Sequence, residues 1–320
     1  MDPAPRTPDD ILDRSELCCL VGPTASGKSE LALAVAERAG AEIVSLDSML
    51  VYRGMDIGTA KPDAAMRARV PHHMLDRVEP EEPYDLQRYL TDVRVVLEEL
   101  ERRDVRALFV GGTALYLKAL VYGLFPGPPA DRELRARVEE EVREEGPAAA
   151  HRRLAAIDPP AAERIHANDT RRVVRALEVH AQTGRPLSQW QREWGWGAAG
   201  GAEGRARRLV GVRLGGAELE ARVERRTEAM LDAGWAAEAA AVRTAGGFGP
   251  SAVAALGYAE VLELHDGTLA REECVARIVL RTRQFARRQR TWYRKFPEIR
   301  WVGAAAADEA LEVFGWAKGG

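Results

Sequence analysis

The stretch Leu17-Cys18-Cys19-Leu20-Val21-Gly22-Pro23-Thr24-Ala25-Ser26-Gly27-Lys28-Ser29 decides the fold. Its first five residues are a continuous apolar run, the pattern of a strand buried on both faces of a parallel sheet. The remainder, Gly22 to Ser29, fits G-x-x-x-x-G-K-[ST] between a predicted strand and a predicted helix. Glycines let successive backbone N–H groups turn toward one anion, and the following helix N-terminus adds its dipole. On this reading Gly22, Pro23, Thr24, Ala25, Ser26 and Gly27 form the cradle, Lys28 neutralises phosphate charge and the Ser29 hydroxyl ligates Mg²⁺. The loop binds a phosphate or diphosphate, and the motif alone does not say of which compound.

Outward from this loop, strand and helix signals alternate. Residues 1–14 read as a loose Pro- and Asp-rich tail, Ser29–Arg38 as a helix and Ala41–Leu46 as a second strand. Asp47 to about Pro83 looks irregular. Tyr84–Arg103 carries a helical period through Leu86, Tyr89, Leu90, Val93, Leu97 and Leu100; Val105–Val110 is a strand ending at Gly111-Gly112, and Thr113–Tyr122 a helix. From Asp131 to about Trp194 the patterns are helical only, and Gly195–Gly204 reads as a flexible loop. Arg208–Leu214 restores a strand, helices follow to about Lys295, and Ile299–Val302 is a last short strand. This order predicts an α/β phosphate-loop core with a parallel sheet, over 15–125 and 201–320, interrupted by an all-helical insertion over 126–200.

The chain has 320 residues, 46% hydrophobic and 30% charged, enough to bury a real core and too apolar for a disordered chain. No apolar run reaches the length of a membrane span and the N-terminus lacks a signal core, so no membrane partner is expected. Adjacent Cys18 and Cys19 with distant Cys274 match neither a disulfide framework nor a metal pattern, which suits core residues in a reducing cytoplasm. Adjacent His72 and His73 would point apart in a strand, against a metal site. The net charge is −3, yet Arg271–Arg300 holds ten basic and three acidic residues. That tract is either a nucleic-acid surface or a solvated helix face paired with acidic neighbours.

Two further residues belong at the sheet's C-terminal rim, where open α/β sheets bind ligands. Asp47, closing the second strand, could hold Mg²⁺ through water, accept a proton from a nucleophile, or cap the turn that follows. Thr113 after Gly111-Gly112 could contact ligand, cap its helix, or do both.

These motifs together resemble the tRNA dimethylallyltransferase family. The resemblance lies in the phosphate loop, in Asp47-Ser48-Met49-Leu50-Val51-Tyr52-Arg53-Gly54-Met55-Asp56-Ile57-Gly58-Thr59-Ala60-Lys61-Pro62, and in Pro71-His72-His73. It continues in Val110-Gly111-Gly112-Thr113 with Tyr116, Arg164-Ile165-His166-Ala167-Asn168-Asp169, Leu256-Gly257-Tyr258 and Thr282–Gln289. It spans about residues 17–302. Two positions depart from it: Leu50 stands where many members have Gln, and Ala259 replaces a polar or basic residue.

The resemblance implies transfer of a dimethylallyl group from its diphosphate to N6 of the adenosine on the 3′ side of the tRNA anticodon. It implies Asp47 as general base, with Thr113, Lys28 and Arg222 as the other catalytic residues and Arg226 one turn beyond Arg222. It implies tRNA contacts from Asp47, Ser48, Met49 and Leu50, from Arg171, Arg172, Val173, Val174 and Arg175, and from Arg283 and Arg287 in the basic tract, with the helical insertion gripping the anticodon stem-loop. The expected cofactor is Mg²⁺ and the expected state a cytoplasmic monomer. The rival readings are an ATP-dependent small-molecule or nucleotide kinase, which leaves the insertion unexplained, prenyl transfer to free AMP or ATP, and a non-catalytic tRNA-binding module.

Overall fold

Six parallel strands make one sheet: β1 (Leu17–Val21), β2 (Ala41–Ser45), β3 (His72–His73), β4 (Arg106–Gly111), β5 (Arg207–Arg213) and β6 (Ile299–Gly303). Their spatial order is β3-β2-β4-β1-β5-β6. The computed structural model describes residues 11–14, 16–123, 127–129, 131–193 and 207–317. The chain divides into two compact units, Asp10–Val121 with Gly204–Gly320, and Tyr122–Glu203. The expected loop at Gly195–Gly204 lies outside the described residues.

In the first unit every residue of β1 and β2 is buried, as a central strand covered on both faces requires. The helices are α1 (Ile11–Arg14), α2 (Lys28–Ala39), α3 (Ala64–Arg69), α4 (Leu86–Arg102) and α5 (Ala114–Tyr122) before the second unit. The second unit holds α6 (Arg132–Glu145), α7 (Pro147–Ile157), α8 (Pro159–Ala162), α9 (Thr170–Thr183) and α10 (Leu187–Glu193). Returning to the first, the chain adds α11 (Gly216–Asp232), α12 (Trp235–Ala245), α13 (Tyr258–His265), α14 (Arg271–Tyr293) and α15 (Ala307–Phe314).

Local chemistry explains the elements that set the site. α2 begins after Gly27, whose φ of 86° is the left-handed turn that brings the phosphate loop round into the helix. Asp85 caps α4 by accepting the N–H of Arg88, and Tyr89, Leu90, Val93, Val96, Leu97 and Leu100 bury its apolar stripe. Under one face of the sheet, Leu31, Leu33 and Val35 of α2 pack with Leu311 and Phe314 of α15 and with Cys18, Leu20, Val210 and Val212 of the strands.

Two local expectations are corrected and one element is added. Ile11 and Leu12 are buried in α1, so the N-terminal tail is anchored by apolar side chains from Ile11 on. The supposedly irregular stretch 47–83 contains α3, started by Asp63 accepting the Met66 N–H, and β3, which pairs Ile43 with His72 and Val44 with His73. Beyond β6, where the sequence reading stops, α15 buries Ala310, Leu311 and Phe314.

The second unit contains helices and no strand among its described residues, with a core of Val138, Val142, Leu154, Val173, Val174, Leu177 and Val179. Its buried Glu178 accepts the backbone N–H of Asp131 and ion-pairs with Arg135 and Arg175.

Candidate active site

The phosphate loop, the end of β2, the turn after β4 and helices α11 and α14 enclose a cavity of about 620 Å³. Thr24, Lys28 and Ser29 line it from the phosphate loop, Asp47, Ser48, Met49 and Leu50 from the segment after β2, and Thr113 from the turn after β4. All of these candidates therefore meet in one chamber at the C-terminal rim of the sheet. Its apolar wall includes Leu33, Ile43, Met66, Leu75, Met230 and Ile278.

The electrostatics centre on three groups. Burial pushes the Lys28 ammonium down to about 8; the carboxylate of Asp47 opposes the shift and the guanidinium of Arg226 adds to it. Burial raises Asp47 above the usual carboxylate range, against the Met49 N–H, Lys28 and Arg226. Two cations thus face one carboxylate whose proton affinity is enhanced, a balance suited to an anionic ligand beside a proton acceptor.

The turn-capping and cavity-facing readings of Asp47 prove compatible. Its Oδ1 accepts the Met49 N–H at 2.9 Å while the side chain lines the cavity. Thr113 works similarly at the start of α5: its carbonyl accepts the N–H groups of Tyr116 and Leu117, and its Oγ1 accepts the Ser48 N–H at 3.1 Å. Behind them Tyr89 donates its hydroxyl to the Ser45 carbonyl at 2.9 Å and stacks on Tyr116 with centroids 4.1 Å apart. The end of β2 is fixed from behind, so Asp47 is presented on rigid backbone.

The arginine expectations need revision. Arg226 lines the cavity and donates to Thr24 Oγ1 at 3.0 Å. Arg222 pairs with Glu218 and lies against Gly27, where a Cβ would sit 2.9 Å from its Nη1. One helical turn separates the two, and only Arg226 is among the cavity-lining residues. Val173 and Val174 are buried in the helical core and so cannot present side chains to RNA, and Arg175 is spent on Glu178 and the Pro128 carbonyl. Arg171 and Arg172 are exposed.

The basic tract is also more neutral in space than along the chain. Arg271 pairs with Asp232, Arg277 with Glu263 and Glu273, Arg281 with Glu260, and Arg283 with Glu220. Arg287 is exposed, and Arg288 lines the cavity with its guanidinium 5.9 Å from the Phe285 ring. The expected RNA contact at Arg283 thus starts from a paired charge, whereas Arg287 forms no ion pair among the described residues.

Three residues that sequence reasoning did not single out organise the site. Gln289 on α14 accepts the Thr24 N–H and donates to the Gly112 carbonyl, each at 2.9 Å. Lys61, buried, donates to the Tyr52 carbonyl and to Asp56 and Asp76. Glu238 on α12 accepts the N–H groups of Asp56, Ile57 and Gly58 and the Tyr258 hydroxyl. Beside it Trp235 is wedged between Gly58 and Gly257, where added Cβ atoms would lie 2.0 and 2.1 Å from the indole. The quoted motifs contained Lys61 and Gln289, but their partners are not local: Gln289 reaches 265 and 177 residues back.

With this geometry in view, comparison with known proteins decides the family. The family model described as IPP transferase matches residues 50–296, and one described as isopentenyl transferase matches residues 15–75. The chain belongs to the tRNA dimethylallyltransferase family. It is 44% identical over 291 residues to a tRNA dimethylallyltransferase of Geobacter sulfurreducens, covering 90% of this chain and 92% of that one. A Halorhodospira halophila relative of the same name is 45% identical, over 86% of this chain and 89% of its own. Among solved structures, the full-length tRNA isopentenylpyrophosphate transferase of Bacillus halodurans aligns with a TM-score of 0.66 at 32% identity over 95% of both chains. A eukaryotic dimethylallyltransferase described as acting on tRNA aligns with a TM-score of 0.75 at 26% identity, over 93% of this chain and 78% of that one. Membership makes the protein a prenyl-transferring enzyme and sets aside the kinase reading. No helix among the described residues is long and apolar enough to cross a membrane.

Proposed function

We propose that this enzyme transfers the dimethylallyl group of dimethylallyl diphosphate to N6 of the adenosine on the 3′ side of the anticodon in tRNA. The observation that carries the reading is the meeting of Lys28 and Arg226 with Asp47 and Thr113 in one cavity, below a phosphate loop. In the reaction the bond between the allylic carbon and the diphosphate oxygen breaks and an N6–carbon bond forms. Inorganic diphosphate leaves, and the N6 proton passes to the Asp47 carboxylate. The leaving oxygens gain negative charge as the bond breaks, so the phosphate-loop N–H groups, Lys28 and Arg226 stabilise the transition state more than the ground state. Adenine N6 is a weak nucleophile because its lone pair is delocalised. The raised proton affinity of Asp47 suits it to accept that proton.

The residues present fit Mg²⁺ brought in with the donor. Mg²⁺ is usually held by few protein oxygens together with substrate phosphates, and the exposed Ser29 hydroxyl faces the cavity where the diphosphate would lie. Bound there, the ion supplies positive charge to the departing diphosphate. On the acceptor side the adenosine must leave the anticodon stack to enter the cavity, and Ser48, Met49 and Leu50, which line it, are the proposed contacts to the base. Arg171 and Arg172 of the helical unit, with Arg287 and Arg288 of α14, are the proposed contacts to tRNA phosphates. Mass analysis of tRNA nucleosides after incubation with dimethylallyl diphosphate and Mg²⁺ tests the proposal. A prenylated adenosine beside the anticodon is expected; unmodified tRNA under conditions where the donor binds overturns it.

A further inference from the structure

We infer that Gln289 is a positioning residue that holds the donor-binding loop and the acceptor-side base at a fixed separation. Its carboxamide is buried and satisfied on both ends, Oε1 by the Thr24 N–H and Nε2 by the Gly112 carbonyl. Each partner belongs to a different wall of the cavity. Thr24 is part of the phosphate loop and is also held through Oγ1 by Arg226. Gly112 adjoins Thr113, whose hydroxyl accepts the N–H of Ser48, the residue after Asp47. A continuous chain of hydrogen bonds therefore runs from the phosphate loop through Gln289 and the Gly112–Thr113 turn to the Asp47 segment.

The chemistry of the contact is selective. One acceptor and one donor are needed at the end of the same stem, which an amide provides and a carboxylate does not. The approach is also tight, since a Cβ on Gly112 would lie 2.5 Å from Nε2. Charge recognition of the diphosphate rests on other groups, Lys28 and Arg226 among them. Loss of the clamp should therefore disturb the alignment of N6 with the allylic carbon more than the binding of the donor.

The test rests on the transfer reaction proposed above, and a wild-type enzyme without prenyl transfer would count against that reading and not against the clamp. Gln289→Met keeps the length of the side chain and removes both hydrogen bonds. It is expected to lower kcat by about 10²-fold while the dissociation constant for dimethylallyl diphosphate stays within about threefold of wild type. Gln289→Glu gives a distinct signature: deprotonated, it repels the Gly112 carbonyl; protonated, it restores one donor and one acceptor. The ratio of its kcat to wild-type kcat at the same pH should rise as pH falls and the introduced carboxylate is neutralised. A kcat within threefold of wild type for the Met variant, a loss confined to donor binding, or a ratio flat with pH would overturn the inference. Should the Met variant fail to fold, the pH dependence of the Glu variant decides.

Discussion

The two walls of the cavity are built by different means. The phosphate loop is a backbone device: a strand, a glycine with positive φ at Gly27 and a helix N-terminus suffice to shape it. The facing segment, 47–62, contains no helix or strand; it is held by its own Lys61, by backbone hydrogen bonds to residues 76–78 and by Glu238 from α12. Lys61 ties it to Asp56, Asp76 and the Tyr52 carbonyl, and Glu238 gathers three successive N–H groups at 56–58. A wall made of backbone can be read from eight residues, while a wall hung on distant anchors is specified only once the chain has folded.

The largest expected effect lies where the second wall meets the chemistry. Asp47→Asn preserves the turn, because Asn also accepts from the Met49 N–H, but it removes the proton acceptor. Single-turnover transfer should fall by about 10²–10⁴, or roughly 3–5 kcal/mol, with donor affinity and thermal stability little changed. A rate within about threefold of wild type, well short of that range, would reduce Asp47 to its role in the turn.

Next comes the anchor itself. Lys61→Met removes a buried ammonium while Asp56 and Asp76 keep access to water, so the cost is set by lost hydrogen bonds more than by stranded charge. A loss of about 2–3 kcal/mol in unfolding free energy is expected. Acceptor-side activity should drop with it while binding of dimethylallyl diphosphate to the opposite wall persists. Denaturant unfolding and donor titration on the same variant check this, and equal damage to both walls would erase the distinction.

The smallest effects concern the backbone-built wall. Lys28→Ala should weaken donor binding and slow transfer by about 1.5–3 kcal/mol, the worth of one charge-assisted hydrogen bond. The wild-type enzyme adds a pH signature. Burial brings Lys28 in the free protein down to about 8, so the contribution of its charge to donor affinity should be constant below that value. Above it, affinity should weaken by at most about tenfold per pH unit. In Lys28→Ala that limb should vanish. A wild-type titration flat to pH 10 would mean that Lys28 does not set it.

The same contrast explains what could be read in advance. β1, β2, β4 and β5 announce themselves as apolar runs because a central parallel strand is buried on both faces, whereas β6, at the sheet's edge, shows only as the short stretch around its buried Ile299 and Val302. β3 has two residues and α3 buries none fully, so neither carries a periodicity to detect. Asp47 and Thr113 were legible from their places after strands. The choice between Arg222 and Arg226 was not, because both positions follow the helical period and only packing shows which one enters the cavity. The valines beside Arg171 and Arg172 belong to the core of α9, a fact visible as the apolar stripe of that helix. How much of the basic tract is neutralised was not legible, because its compensating acids, Glu220, Asp232, Glu260 and Glu263, come from neighbouring helices.

Trp235 carries a consequence for how this sequence can change. Its indole fills the space that side chains at Gly58 and Gly257 would otherwise need. A single step away from glycine at either position meets the ring, and a single step to a smaller residue at 235 opens a void between two backbones. Positions 58 and 235 are therefore free to vary only jointly, and with Tyr258, which also lies against Gly58. Saturation libraries built one site at a time should find all three intolerant, whereas a combinatorial library that shrinks 235 and 258 while enlarging 58 should recover folded members that no single substitution reaches; position 257, at a φ of 92°, should stay glycine throughout.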